Sequence, residues 1–331
     1  MKKISFIGCG SWGGALGLVL ARKGFSITMW HRNPDIVESL YLSRKHYLVP
    51  SLIFPNSVSF TTNLSDALND TNIVIIAIPS QSIRELLELN YSLFNQDQII
   101  VNVSKGIEID SLMTVSEVIN HVLGDNFSKI VTLSGPSHAE EVIQGHPTML
   151  VSASTNTDAA KEIQTLFSNE NLRTYISPDI KGVELGGSMK NIIAIAAGIC
   201  DGIGYGDNTK AALLTRGIKE ISRLGYAMGA ETKTFQGLSG VGDLIVTCLS
   251  LHSRNRMVGQ SIGEGKTLKT ILDEMQMVAE GVKSAKSVNQ LRQKFDIEMP
   301  ICEAVYEILF EDKNPRESVA DLMKRELRQE N

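Results

Sequence analysis

Close to its start the chain runs a short apolar stretch, Ile4-Ser5-Phe6-Ile7, directly into Gly8-Cys9-Gly10-Ser11-Trp12-Gly13 and then into the helix-compatible GALGLVLARKG. A strand that ends in GxGxxG and turns at once into a helix opens a βαβ unit. Its first glycine permits the tight turn, its second lets a pyrophosphate approach the backbone, and its third lets helix pack on strand. Such glycines can also form a purely structural turn. The flanking strand, the flanking helix and a second strand-like segment, SITMW at 26–30, favour a dinucleotide site with Gly8, Gly10 and Gly13 at its centre.

The alternation continues. Strand-like runs recur at 73–78 (IVIIAI), 98–103 (QIIVNV), 130–134 (IVTLS), 148–153 (TMLVSA) and 172–176 (LRTYI), with helical patterns between them, among them Pro34 to Leu42 and Asp110 to Leu123. That order predicts a mostly parallel, doubly wound sheet covered by helices, an α/β Rossmann domain over residues 1–179. IVIIAI lacks polar alternation, as a strand buried on both faces should. From about residue 178 the strand signal stops, apart from the short LIVTC at 244–248, and an all-α domain over 180–331 is expected. Val282, Ala285, Val288, Leu291 and Phe295 mark one apolar helical stripe, read as core packing.

Composition narrows the partners. With 32 basic against 37 acidic residues and a formal charge of -5, there is no cationic excess for nucleic acid or an anionic membrane, so a small molecule is the expected partner. Cys9, Cys200, Cys248 and Cys302 are scattered without CxxC pairing and read as reduced apolar residues, and no metal site is expected. Lys2-Lys3 before an apolar stretch imitates a secretory signal, but the interspersed glycines, Ser11 in the middle and SITMW in place of a cleavage site argue against it. No later stretch offers the ~20 uninterrupted apolar residues that span a bilayer. The expected location is the cytoplasm, with no membrane insertion.

Several strand ends and loops carry residues that a purely structural sheet would not need. An NAD-selective site usually ends its second strand with an acid about 20 residues past the glycines. Here that position reads Trp30-His31-Arg32-Asn33, so Arg32 can pair with a 2′-phosphate and both NADPH/NADP and NADH/NAD are expected. Val103-Ser104-Lys105-Gly106 and Ser134-Gly135-Pro136-Ser137 each end a strand where ligands collect in doubly wound sheets. Lys190 and Asn191 open the apolar run IIAIAAGI. A lysine at the rim of such a helix can be partly desolvated and suited to proton exchange, or it can simply snorkel. Asp243 sits in a glycine-rich turn, and Ser253-Arg254-Asn255-Arg256 offers either an anion clamp or a solvated basic cluster.

Taken in order, GCGSWGGAL at 8–16, PSQSIRELL at 79–87, SKGIE at 104–108, SGPSHAEEV at 134–142, ELGGSMKNIIAIAAGICDGIGYGDNTKAALLTRG at 184–217, GLSGVGDLIVTC at 237–248, SRNR at 253–256, VAEGV at 278–282 and EMPI at 298–301 resemble the bacterial NAD(P)-dependent glycerol-3-phosphate dehydrogenases over nearly the whole chain. The resemblance implies a Rossmann domain followed by a helical domain like the C-terminal one of 6-phosphogluconate dehydrogenase. It implies that Ser11, Trp12, His31 and Arg32 contact the cofactor, that Lys105 and Ala139 lie near its nicotinamide end, and that Val278 and Glu280 close over it. Lys190 is implied as proton donor and acceptor. Lys105, Gly135, Ser137, Asp243, Ser253, Arg254 and Asn255 would hold the substrate, with Arg254 also reaching the cofactor, and Asn191 and Thr247 carry over to the same site. His138 stands where the family usually has an aromatic residue, and Ser188-Met189 replaces a commoner Ala-Leu. The implied reaction reduces dihydroxyacetone phosphate to sn-glycerol 3-phosphate, with Asp243 orienting Lys190, Lys105 adding positive charge near the forming oxyanion, and a homodimer as the assembly. A β-hydroxyacid or 6-phosphogluconate-type dehydrogenase, or a nicotinamide-sensing regulator without turnover, are the competing readings.

Overall fold

The computed structural model describes residues 2–275, 279–327 and 329–330. The chain divides into two compact units, Met1–Glu108 with Met113–Glu184, and Ile109–Leu112 with Leu185–Asn331.

In the first unit the elements follow as β1 (Ile4–Ile7), α1 (Ser11–Arg22), β2 (Ile27–Trp30), α2 (Pro34–Ser43), β3 (Val58–Thr61), α3 (Leu64–Leu68), β4 (Ile73–Ile76), α4 (Ile83–Leu89), β5 (Ile99–Asn102), α5 (Val115–Leu123), β6 (Ile130–Ser134), α6 (Ala139–Gln144), β7 (Thr148–Ala153), α7 (Thr157–Phe167) and β8 (Leu172–Ser177). The strands form one sheet in the order β3-β2-β1-β4-β5-β6-β7-β8, parallel throughout except for the β6–β7 pair. The chain direction across the sheet reverses between β1 and β4, the switch point where such sheets open a crevice at their carboxyl ends. Every residue of β4 is buried, because Ile73 and Ile75 pack into the apolar layer that holds α1 and α6, while Val74 and Ile76 pack into the layer that holds α4 and α5. That two-sided burial is why the strand shows no alternation.

β3 has no counterpart among the strand-like runs of the sequence. It is an edge strand with only Val58 buried, so neither alternation nor an apolar run announces it. The helix expected from Asp110 instead begins at Val115. Asp110 and Leu112 adopt left-handed backbone angles that no helix accommodates, and Thr114 with Glu117 forms the capping box that starts the turn.

The second unit is helical. α8 (Ile180–Ile203) runs through residue 184, where the first unit ends, and is followed by α9 (Asp207–Ala227), α10 (Asp243–Leu249), α11 (Arg254–Gly263), α12 (Leu268–Glu274), α13 (Glu280–Lys294), α14 (Pro300–Phe310) and α15 (Pro315–Met323). LIVTC, read as a short strand, is the body of α10. Asp243, Leu244, Thr247 and Cys248 are buried while Ile245 is exposed, a helical repeat that the β-branched composition concealed. In α13 the stripe of Val282, Ala285, Val288 and Leu291 is buried, whereas Phe295 lies past the helix end and is 38% exposed. The four cysteines are free and buried. Among the described residues α8 alone is long and apolar enough to cross a membrane, and its apolar stretch is wholly buried within the protein.

Candidate active site

The carboxyl end of β1 builds a cradle from backbone. Gly8 has φ +108°, and a Cβ there would lie 2.4 Å from the Ala77 carbonyl oxygen at the end of β4. A Cβ on Gly13 would meet the Gly8 carbonyl at 2.8 Å, so the third glycine lets α1 settle onto the turn. A Cβ on Gly10 would meet nothing within 4 Å, which leaves open space above the second glycine. Gly10 caps α1 without any side-chain hydrogen bond, and the Trp12 indole Nε1 is buried with no partner. An open face over unsatisfied N–H groups at a helix start fits a dinucleotide pyrophosphate. At the end of β2, His31 is half-buried, its Nδ1 accepts from the Asn33 N–H at 3.1 Å, and Arg32 is exposed. Burial lowers the His31 pKa, with Arg32 pushing the same way, so the ring is neutral at pH 7 beside a cationic guanidinium.

The ends of β5 and β6 bring two more expected groups together. Asn102 Oδ1 accepts from the Ser104 N–H at 2.8 Å and the Ser104 hydroxyl donates to the Ile78 carbonyl at 2.6 Å, which locks the turn that presents Lys105. Lys105 Nζ and Ser137 Oγ both donate to the Gly135 carbonyl, at 3.2 and 3.0 Å. Ala139 starts α6 directly after. Beneath these turns lies a group whose role sequence reasoning did not identify. Glu184, 4% exposed, accepts from Asn102 Nδ2 at 2.9 Å, Thr132 Oγ1 at 2.8 Å, and the Ser116 N–H and hydroxyl at 3.0 and 2.6 Å. Burial raises its pKa although every one of these bonds favours the carboxylate.

In the second unit Lys190 is 6% exposed, and its ammonium donates to Asp243 Oδ1 at 2.5 Å and to Thr247 Oγ1 at 2.6 Å. Asp243 is fully buried. Thr247 in turn donates to the Asp243 carbonyl one helical turn back at 2.7 Å, so α10 supplies both partners from one face. The snorkelling alternative is therefore set aside. Asn191, the next residue on α8, accepts at Oδ1 from Asn255 Nδ2 at 2.9 Å, and Asn255 Oδ1 accepts from the Gly281 N–H at 2.9 Å, next to Glu280 at the start of α13. Ser253 caps α11, and Arg254 is its first residue, half-buried. The basic cluster is not simply solvated, since Arg256 donates twice to Asp201 Oδ2 at 2.7 Å and Lys210 adds a third cationic contact to Asp201 at 2.6 Å. Asp201 and Arg256 were legible only as charged residues within longer motifs. Val278 lies outside the described residues. Among the described residues no group of His, Cys, Asp or Glu side chains is placed to hold a metal ion.

Comparison with known proteins agrees with this arrangement. Residues 3–160 match the family model of the NAD-dependent glycerol-3-phosphate dehydrogenase N-terminus, and residues 179–320 that of its C-terminus. The chain is 47% identical over 327 residues to a glycerol-3-phosphate dehydrogenase (NAD(P)+) of Fusobacterium nucleatum, covering 98% of each chain, and 48% identical over 328 residues to that of Bacillus subtilis, covering 98% of this chain and 95% of the other. The crystal structure of a glycerol-3-phosphate dehydrogenase from Coxiella burnetii superposes with a TM-score of 0.94 at 36% identity, over 98% of this chain and 99% of that one. With an open glycine cradle in one unit, a buried lysine–aspartate pair in the other, and family models that together match residues of both, the chain belongs to the NAD-dependent glycerol-3-phosphate dehydrogenase family.

Proposed function

We propose that this protein uses NAD(P)H to reduce the C2 carbonyl of dihydroxyacetone phosphate reversibly to sn-glycerol 3-phosphate, the backbone for glycerophospholipid synthesis. The observation that carries the proposal is the buried Lys190 ammonium, held by Asp243 and Thr247 just before the apolar run IIAIAAGI of α8. Bound NAD(P)H supplies a hydride to C2. Lys190 donates a proton to the oxygen that becomes the C2 hydroxyl, so one hydride and one proton add across the C=O bond. Asp243 aims the amine, and Lys105 offers positive charge to the developing oxyanion. Arg254 with Ser253 and Asn255 receives the phosphate, because a guanidinium fork matches its oxygens with two parallel hydrogen bonds. Gly135, Ser137, Asn191 and Thr247 complete the substrate contacts.

For the cofactor, Gly8, Gly10, Ser11, Trp12 and Gly13 take the pyrophosphate and its neighbours, His31 and Arg32 the adenosine ribose, Lys105 and Ala139 the nicotinamide end, with Arg254, Val278 and Glu280 as the remaining proposed cofactor residues. Arg32 lets a 2′-phosphate bind without requiring it. The protein would work in the cytoplasm as a homodimer; Ile245, Leu249, Leu251 and Met257, apolar and exposed within one short stretch, are candidates for the interface. The deciding experiment follows NADPH absorbance after dihydroxyacetone phosphate is added, with 3-oxo acids as comparison substrates. Oxidation with dihydroxyacetone phosphate alone supports the proposal. Turnover confined to the acids would replace it with a hydroxyacid dehydrogenase, and cofactor binding without any turnover would replace it with a sensor.

A further inference from the structure

The irregular stretch between α2 and β3 is built around a buried histidine. His46 is 1% exposed, and its Nδ1 accepts the N–H groups of Leu48 and Val49, both at 3.1 Å. A ring nitrogen that accepts two donors carries no proton, so the neutral ring keeps its proton on Nε2. Nε2 lies 3.0 Å from the carbonyl oxygen of Cys9, the residue between the first two glycines of the loop, and donates to it. The ring also explains a glycine outside the motif. A Cβ on Gly14 would stand 2.8 Å from His46 Cδ2, so only glycine lets α1 admit the ring. The segment is itself fixed: Lys45 bridges Ile53, His46 N–H donates to Leu52 and Phe54 N–H to Arg44.

Across a planar trans peptide, a carbonyl and the following N–H point in opposite directions. Holding the Cys9 carbonyl toward His46 therefore turns the Gly10 N–H to the other side of the loop. We infer that His46 is a positioning residue for the cofactor: as a neutral imidazole it clamps the Cys9–Gly10 peptide in the orientation that offers the Gly10 N–H to the dinucleotide pyrophosphate. The inference rests on the NAD(P) reading of this site. Protonation of His46 would place an N–H against two N–H donors and release the clamp. The titratable groups that face the ring are Cys9 on the glycine loop, Tyr47 stacked on it at 4.8 Å, and His31 at the end of β2, itself edge-on to Tyr47; Gly14, Leu52 and Phe54 supply the rest of its surroundings. Burial pushes the Cys9 thiol and the Tyr47 hydroxyl up to about 12, so both are uncharged near neutrality, and burial lowers the pKa of His46 itself.

The test pairs two measurements. In full-length protein labelled with ring-15N histidine, long-range 1H–15N spectra should show His46 as the Nε2–H tautomer, still neutral at a pH where exposed histidines titrate. His46→Asn keeps an acceptor for the local turn but has no atom to reach Cys9. It should weaken NADPH binding, read as Kd and as KM, by about five- to thirtyfold while kcat at saturating cofactor stays within about twofold. The wild-type Kd should rise below the His46 pKa, and that rise should be smaller in the variant. A charged or Nδ1–H imidazole at pH 7, or an unchanged Kd in a folded His46→Asn, overturns the inference, and if that variant does not fold the tautomer alone decides. Failure of the wild-type protein to bind NADPH or NADH at all would instead strike the cofactor reading on which the inference stands.

Discussion

At the scale of single residues, Lys190 and Asp243 form a buried ion pair, and such a pair is asymmetric in its energetics. Removing one partner strands a charge in a dry site and typically costs about 3–5 kcal/mol, whereas replacing both is often close to neutral. Lys190→Ala should therefore abolish turnover, by about three orders of magnitude or more, and also lower the melting temperature, because Asp243 is 0% exposed and cannot turn to water. The double variant Lys190→Met/Asp243→Asn should recover most of the lost stability and none of the lost rate. Thermal unfolding and steady-state assays on the two variants check this, and a rate above about a tenth of wild type in either would remove Lys190 from the proton transfer. Arg254 belongs to a different class of effect. On its proposed role as a phosphate clamp, loss of the half-buried Arg254 in Arg254→Ala should appear as a KM for dihydroxyacetone phosphate raised by about ten- to a hundredfold, with kcat less affected.

At the scale of elements, the placement of the proposed substrate residues of the second unit depends on how closely α8 and α11 cross. Gly198 and Gly202 on α8 stand against the backbone of α11, and Gly259 and Gly263 on α11 against the backbone of α8. A Cβ at Gly198 would lie 1.9 Å from the Arg256 carbonyl oxygen, and one at Gly259 1.9 Å from the Ile195 carbonyl. Neither backbone can yield by that much, so the helices would have to separate. Gly259→Ala should destabilise the protein by about 1–3 kcal/mol, and it should raise the KM for substrate because α11 carries Arg254 and Asn255 while α8 carries Lys190 and Asn191. A melting curve and a KM both unchanged would show the crossing to be more compliant than its geometry. The crossing also shows what the sequence could and could not disclose. Strands such as β4, buried on both faces, stand out as unbroken apolar runs, and the glycine loop declares itself through its strand and helix neighbours. β3 is silent because an edge strand with one buried residue carries no pattern. α10 misleads because its β-branched residues suggest a strand while the spacing of its buried positions is helical. Glu184 and the Asp201–Arg256 pair are legible as letters only, since their roles come from partners far away in the chain: Asn102, Ser116 and Thr132 for the first, two residues 55 positions apart for the second.

Taken as a whole, the molecule carries deeply buried carboxylates in both units, and two of them, Glu184 and Glu220, are held with raised pKa values that shape how it responds to pH. Glu184 is enclosed by β5, β6 and α5; Glu220, on α9 and 4% exposed, accepts from the Ile301 and Cys302 N–H groups at 2.8 and 3.1 Å and so satisfies the first turn of α14. For both, burial raises the pKa, outweighing the hydrogen bonds that favour the charge. A carboxyl whose folded pKa lies above its unfolded value near 4.3 stabilises the fold fully below that unfolded value. The contribution is lost as pH rises through the folded pKa. His31 and His46 act in the opposite sense. Their folded values are lowered, so their contribution is present above about 6.5 and is lost as pH falls through them. Between about pH 4.3 and 6.5 the two pairs therefore oppose each other, the carboxyls losing stability with rising pH where the histidines gain it. Glu220→Gln isolates one limb, because its amide does not titrate. The melting temperature of wild type relative to that variant should be most favourable at and below about pH 4.3 and should decline as pH rises from there. A wild-type advantage that instead grew with rising pH would mean that the α14 amides stabilise the Glu220 carboxylate by more than its burial costs, and would reverse the sign of this contribution.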